Sequence, residues 1–104
     1  MNKPLSKVLN REILLAFWKV HILCHASEKP LVGQWMLREL RHHGYDVSPG
    51  TLYPILHRME KLGWLKCKVD PAGGSRAKRH YSITRAGRAA LKVIRHQLDE
   101  LIEE

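Results

Sequence analysis

Residues 48–62 of this 104-residue chain predict a helix with a clearly marked start, and neighbouring segments must fold so that its apolar face is covered. Ser48 suits the position just before the helix, because its hydroxyl can accept a hydrogen bond from a free backbone N–H of the first turn. Pro49 suits the first helical position, where its missing N–H costs nothing. The apolar side chains that recur at helical spacing are Leu52, Ile55, Leu56, Met59 and Leu62.

Pro54 breaks a local rule within this segment. Because a proline inside a helix removes one backbone hydrogen bond, either the helix begins later or it bends at Tyr53. The side opposite the apolar face carries a hydroxyl, an aromatic ring, an imidazole and cations, a mixture that suits contact with phosphates and base edges. The candidate DNA-binding residues of this segment are Ser48, Thr51, Tyr53, His57, Arg58 and Lys61.

Two further helices are predicted before this one, over residues 6–26 and 31–43. Gly44 suits the left-handed position that ends a helix. Two short helices joined by a tight turn that contains glycine form a helix-turn-helix, whose second helix is the recognition helix. Residues 48–62 are therefore the predicted recognition helix.

Residues 64–83 predict a two-stranded hairpin, because apolar and polar residues alternate on both sides of a turn rich in glycine and proline. A basic hairpin directly after a helix-turn-helix is a wing, and its cations are candidate phosphate contacts. The candidate DNA-binding residues of the wing are Arg76, Lys78, Arg79 and His80.

The last predicted helix spans residues 85–102, with Thr84 as its cap. Its leucines and isoleucine recur with the three-and-four spacing of a coiled-coil seam, and the first helix is apolar over much of its circumference. Both features favour a two-fold dimer, although the terminal helix packing back onto its own domain is the alternative. The candidate dimer-interface residues are Leu14, Phe17, Leu91, Ile94, Leu98 and Leu101.

The net charge of +8 and the pI near 9.9 favour a polyanionic partner, either nucleic acid or an anionic membrane surface. The cations concentrate on the predicted hairpin and helix-turn-helix rather than along one face of an amphipathic helix, which argues against a peripheral membrane protein. No nucleophile motif and no glycine-rich phosphate loop is present in the sequence, so we expect no enzymatic activity.

His21, Cys24 and His25 lie at positions i, i+3 and i+4 of the first predicted helix, a spacing that can hold a transition metal. A partly buried imidazole and thiol in an interface is the simpler interpretation, so we assign no metal and no cofactor. The two cysteines form no CxxC motif, which fits a reducing compartment. The N-terminus lacks the shape of a signal peptide, and the apolar run at 13–26 is too short and too polar to span a bilayer.

The segment Ser48-Pro49-Gly50-Thr51-Leu52-Tyr53-Pro54, followed by Leu56-His57-Arg58, Glu60 and Gly63, resembles the recognition helix of the PadR family of bacterial transcriptional regulators. Downstream, Arg79-His80-Tyr81-Ser82-Ile83-Thr84-Arg85-Ala86-Gly87 is similar to that family's basic segment. The resemblance covers roughly residues 31–91. It implies a short form of the family with a single C-terminal dimerisation helix, in the bacterial cytoplasm beside the nucleoid.

Members of the family resembled bind aromatic small molecules, some of them between the subunits. Flat ligands stack on tryptophan, so aromatic side chains near the predicted dimer interface are candidates for an effector pocket, with plain core packing as the alternative. The candidate effector residues are Phe17, Trp18, His21 and Trp35.

The sequence therefore predicts a mainly α protein: one winged helix-turn-helix domain over residues 1–104, with a small β-hairpin and a C-terminal dimerisation helix. The predicted function is sequence-specific binding to a palindromic operator in double-stranded DNA, as a homodimeric repressor that a small-molecule effector releases. The alternative is a winged helix that binds another protein and lacks specific DNA binding.

Overall fold

The computed structural model describes residues 3–74 and 77–104, with side chains from Leu5 onward. The helical elements are α1 (Lys3–Leu9), a π-helical segment (Asn10–Leu14), α2 (Leu15–Glu28), α3 (Gly33–His42), α4 (Pro49–Lys61) and α5 (Arg85–Glu103). The strands are β1 (Leu31–Val32), β2 (Leu65–Val69) and β3 (Arg79–Ile83). The predicted class, mainly α with a small β component and a winged helix-turn-helix, is confirmed.

The sheet has three antiparallel strands in the order β1-β3-β2, rather than the two strands of the predicted hairpin. Leu31 was expected to begin a helix, but it pairs with Tyr81 of β3. Lys29 is extended, as residues before proline usually are, and Val32 is extended as well. The chain therefore pairs with β3 before it enters α3.

The first helix, predicted as one regular α-helix over residues 6–26, is interrupted by the π-helical segment Asn10–Leu14. Such segments are rare, and nothing in the local sequence explains this one. The helical conformation then continues to Glu28, where Lys29 leaves it.

The turn between α3 and α4 has the glycine-ended geometry that the sequence predicts. Gly44 has a φ of 91°, the left-handed region that favours glycine. Its N–H donates to the Arg41 carbonyl at 2.9 Å, and the Tyr45 N–H donates to the Leu40 carbonyl at 3.2 Å. These two bonds satisfy carbonyls that the end of α3 leaves free.

Helix α4 begins at Pro49 and continues through Pro54, which excludes a later start. Ser48 precedes it with extended backbone, as expected. Among the described residues, however, the Ser48 hydroxyl caps no backbone N–H, and its Oγ lies 3.2 Å from Thr51 Oγ1.

Thr84 joins the end of the helix-turn-helix to α5. Its Oγ1 accepts from the Gly87 N–H at 3.0 Å, which confirms the predicted cap, and its hydroxyl donates to the Gly63 carbonyl. The Thr84 N–H donates to the Trp64 carbonyl at 3.0 Å. The start of α5 is therefore fixed to the turn that follows α4.

One hydrophobic core lies between α2, α3, α4, the sheet and the first half of α5. Leu91 was predicted to lie in a dimer interface, but it is only 3% exposed within the single chain and belongs to this core. Ile94 is half-buried and packs against the same core. The first half of α5 therefore packs back onto its own domain, which was the alternative arrangement.

Candidate nucleic-acid interface

Helix α4 divides cleanly into a buried face and an exposed face. Leu52, Leu56 and Met59 are fully buried, whereas Tyr53 remains 41% exposed. The side chains that share the exposed face with Tyr53 are Pro54, His57, Arg58 and Lys61. Glu60 is the one acidic residue in the sequence of this helix, so the exposed surface is cationic.

A cleft of about 240 Å³ joins this face to the wing. Tyr53 contributes to it from α4, Gln34 from the start of α3, and Lys78 and Arg79 from the wing. Tyr53 passes so close to Gly33 that a Cβ on this glycine would lie 2.5 Å from Tyr53 Cε1. Gly33 therefore lets the Tyr53 ring lie against α3 beside the basic residues of β3.

A second cleft, of about 370 Å³, lies beside the start of α4. Lys7 and Arg11 line it together with Ser48 and Thr51. Asn10 holds this region to the helix-turn-helix, because its Nδ2 donates to the Asp46 carbonyl at 3.2 Å.

Lys7 and Arg11 are basic residues near the candidate site that the sequence alone does not indicate. Their four-residue spacing places them on one helical face, but no spacing could show that this face meets the start of α4. Arg11 also lies 3.5 Å from Glu12, and both side chains are largely exposed. The positive charge at this end is therefore partly offset.

The wing residues are distributed over different faces. Arg79 pairs with Val69 and lines the cleft with Tyr53. His80 pairs with Lys68 and Val32, on the opposite face of β3, so the structure separates it from the exposed face of α4. Arg76 lies outside the described residues.

The four candidate effector residues do not line one pocket. Trp18 is 1% exposed in the core, whereas Phe17 is 41% exposed at the surface. His21 Nε2 lies 3.3 Å from the Tyr45 hydroxyl. Trp35 lines a separate cavity of about 510 Å³. Within the single chain these four side chains therefore lie apart, because residues close together on α2 point in different directions and Trp35 belongs to α3.

The cavity beside Trp35 lies between the end of α2 and the outer face of β3. His25 and His80 line it together with Leu31 and Val32. The ring centroids of His25 and Trp35 are 5.2 Å apart in an edge-on arrangement. This cavity is larger than the cleft of about 370 Å³ beside the start of α4, which Trp18 lines.

The chain resembles proteins of one known family along most of its length. Residues 22–93 match the family model described as the transcriptional regulator PadR-like family. The chain belongs to the PadR-like family. It is 49% identical over 94 residues to the transcriptional regulator Rv3488 of Mycobacterium tuberculosis, and the match covers 90% of this chain and 87% of that protein.

Solved structures of the PadR family have the same fold. A PadR family transcriptional regulator from Eggerthella lenta is 27% identical with a TM-score of 0.75, covering 96% of this chain and 84% of that one. A PadR-like transcription factor from Bacteroides fragilis has a TM-score of 0.80 at 20% identity, covering 91% and 92%. The PadR family consists of transcriptional regulators and not of enzymes, so this chain is a transcriptional regulator.

None of the helices in the part of the chain that the structure describes has the length and apolar character needed to cross a membrane.

Proposed function

We propose that this PadR-family protein is a sequence-specific DNA-binding repressor that acts as a homodimer on a palindromic operator. The observation that carries the proposal is the cationic exposed face of α4, which has further cations on two sides. The wing contributes Lys78 and Arg79 beside Tyr53, and α1 with its π-helical extension contributes Lys7 and Arg11 beside the start of α4. A helix fits the major groove of B-DNA, and cations on both sides of it suit the phosphates that border the groove.

In this proposal, α4 is the recognition helix and supplies the contacts to base edges. Tyr53, His57 and Arg58 occupy the middle of its exposed face and contact bases or the nearest phosphates. Arg58 is the strongest candidate for reading a guanine edge, because its guanidinium can donate two parallel hydrogen bonds. The sugar-phosphate backbone of the DNA is contacted by Ser48 and Thr51 at the start of α4 and by Lys61 at its end.

The wing and the first helix act as phosphate clamps. Lys78 and Arg79 are exposed beside the cleft that Tyr53 lines, and Arg76 precedes Lys78 by two residues in the sequence. Lys7 and Arg11 are exposed at the start of α4. These contacts fix the position of α4 on the duplex without reading sequence.

Exposed apolar side chains support the homodimer. Ile13 and Phe17 are 48% and 41% exposed near the start of α2, and Leu101 and Ile102 are 64% and 81% exposed at the end of α5. Two copies that cover these surfaces would present two recognition helices related by a two-fold axis, which matches a palindromic site.

Repression follows if the dimer, as a nucleoid-associated protein of the bacterial cytoplasm, covers a promoter. The cavity next to Trp35 is a candidate effector site, because its volume of about 510 Å³ is in the range of small-molecule pockets. It contacts both α2 and β3, so a ligand there would shift the wing relative to the dimer surface and release DNA.

Fluorescence anisotropy against the protein's own promoter and a scrambled duplex, across a salt series, tests the proposal. We expect the promoter to be preferred by about 10³-fold or more. Arg58→Ala is expected to cost about 1–3 kcal/mol of binding free energy on the promoter. Lys78→Ala and Arg11→Ala are each expected to lower the slope of log K against log salt by about one.

Lys92→Ala is the matched control, because it removes the same charge from the exposed surface of α5 and should leave the slope unchanged. Equal binding to both duplexes would contradict sequence specificity. An absence of binding even at low salt would favour the protein-interaction alternative instead.

A further inference from the structure

Three histidines from two helices converge beside the turn of the helix-turn-helix. His21 and His25 lie one turn apart on α2, with ring centroids 6.4 Å apart and planes inclined by 16°. His43 follows the last residue of α3, and its ring centroid is 5.3 Å from that of His21. One potential ligand atom from each of the three residues lies within 4.8 Å of the other two.

Glu39 places a carboxylate beside His43, at the edge of the group of three histidines. Its Oε1 lies 3.3 Å from His43 Nε2, one helical turn away. Helix α2 therefore contributes a His-x-x-x-His pair, and the end of α3 contributes a Glu-x-x-x-His pair. We propose that His21, His25 and His43, with Glu39 as a fourth donor, bind a divalent transition-metal ion such as Zn²⁺.

The three histidine ligand atoms need only a small adjustment to bind such an ion, and the Glu39 carboxylate has to move toward them. Zinc binds four donors as a tetrahedron, with nitrogen at about 2.0–2.1 Å, so neighbouring donors lie about 3.4 Å apart. The three histidine atoms are already within 4.8 Å of one another. His43 is exposed, so its side chain can rotate toward the two histidines of α2. Imidazole nitrogens favour zinc, nickel and copper over magnesium and calcium.

His21 is half-buried and has a polar neighbour outside the group of three histidines. The Tyr45 hydroxyl lies 3.3 Å from His21 Nε2, and hydrogen bonds of this kind hold a ligating imidazole in its orientation.

The cluster differs from the triad that the sequence spacing indicated. Cys24 lies next to His25 in sequence, but its Sγ accepts a weak hydrogen bond from Arg95 of α5 at 3.9 Å. His43 takes its place, and this residue belongs to another helix. The proposed site is therefore one of nitrogen and oxygen donors, without a thiolate.

An ion bound here would join α2 directly to the end of α3. Gly44 and Tyr45, which follow His43, form the turn that leads to α4. A metal ion bound at this site would therefore hold the beginning of the turn in place, and this turn positions the exposed face of α4. The site itself requires no DNA, so its test is independent of the proposed DNA-binding function.

Calorimetric titration of the tag-free, chelator-treated protein with Zn²⁺ tests the site. We expect one ion per chain, and we expect His43→Ala to weaken binding by at least about tenfold. Cys24→Ser should bind as the unmodified protein does. His96→Ala is the matched control, because His96 and Glu100 form an i, i+4 pair of the reverse order on α5, with 3.1 Å between Nε2 and Oε1 and side chains that are 68% and 62% exposed.

Co²⁺ in place of Zn²⁺ gives a second readout. The visible absorption of tetrahedral Co²⁺ should appear without the near-ultraviolet band of a cobalt–thiolate bond. His43 is exposed, so circular dichroism of His43→Ala should match that of the unmodified protein. Stoichiometric binding that survives His43→Ala would overturn the proposal, as would binding that is lost in Cys24→Ser or an absence of stoichiometric binding.

Discussion

Two glycines in the helices of this protein differ in what a side chain would contact. A Cβ on Gly87 would collide with the backbone carbonyl of Trp64 and lie 2.8 Å from Ile83 Cγ1. A Cβ on Gly50 would contact only the Ser48 hydroxyl, at 3.8 Å. Gly87 is therefore needed for the close approach of α5 to the turn after α4, whereas Gly50 is not needed for packing.

Gly87→Ala is expected to lower the free energy of unfolding by about 2–3 kcal/mol, because a backbone carbonyl cannot move aside cheaply. Gly50→Ala, the control, should be neutral or stabilise by up to about 1 kcal/mol through its better helix propensity. Urea denaturation followed by circular dichroism measures both values. Equal stability of the two variants would show that α5 can move away from Trp64.

Gly33→Ala is expected to separate folding from DNA binding. Its Cβ would lie 2.5 Å from Tyr53 Cε1, the outer part of a half-exposed ring that can rotate away. We therefore expect a change of less than about 1 kcal/mol in stability, with weaker binding to the promoter because the ring is displaced. In the double variant with Tyr53→Ala, the effect of Gly33→Ala on binding should largely disappear. Additive losses would show that Gly33 acts on DNA binding by another route.

Among the helices and strands, the boundaries that can be predicted from the sequence are those that local chemistry sets. The turn at Gly44 and the cap at Thr84 depend on residues within a few positions of each other, and both are present. Strand β1 was missed because two residues carry almost no periodicity, and its partner Tyr81 lies beyond the whole helix-turn-helix.

The candidate site shows the same division. The exposed face of α4 follows from helical periodicity, which also predicts its buried side. The contribution of Lys7 and Arg11 cannot be predicted from periodicity, because it depends on how the first helix packs against the start of α4. The convergence of His43 with His21 depends in the same way on the packing of α3 against α2.

The contact between α2 and the end of α3 makes stability depend on pH. The pKa of His21 is lowered in the folded protein, mainly by burial and then by the charges of His43 and His25. The unfolded chain therefore binds more protons, and stability should fall as the pH drops below about 6.5 toward the lower folded pKa. Above that range the effect is absent.

We expect the melting temperature of the chelator-treated protein to fall between pH 7.5 and pH 5.5, and to fall less in His21→Asn. The substitution removes the group that resists protonation, so the pH dependence should decrease even if stability at pH 7.5 is reduced. His96→Asn, at an exposed site on α5, is the control. If the melting temperature of His21→Asn depends on pH as strongly as that of the unmodified protein, other titratable groups cause the loss of stability at low pH.

For the whole molecule, the single chain is less compact than a typical globular domain of the same length. Its radius of gyration is 14.6 Å, whereas a compact domain of this length has about 13 Å. The apolar stripe of α5 shows where the excess lies: Leu91 is 3% exposed, Ile94 and Leu98 are half-buried, and Leu101 is 64% exposed. One stripe therefore begins inside the domain and continues beyond it.

This gradient decides which substitution tests the homodimer. A charge at Ile94 would disturb the chain's own core, because that side chain packs against it. Leu101→Glu/Ile102→Glu adds two carboxylates where the side chains are 64% and 81% exposed, so the chain should still fold. If the end of α5 lies in a dimer interface, the buried charges should reduce the mass in sedimentation equilibrium from twice 12.1 kDa to 12.1 kDa.

The control is Ala89→Glu/His96→Glu, which adds two carboxylates to exposed positions on the opposite side of α5 and should leave the dimer mass unchanged. Affinity for the palindromic promoter should fall only in the interface variant, because a monomer holds one half-site and loses the contribution of the second. A dimer mass that persists in Leu101→Glu/Ile102→Glu would exclude the end of α5 from the interface. The exposed apolar residues of the first helix would then be the next candidate surface, where Phe17→Glu is the corresponding substitution.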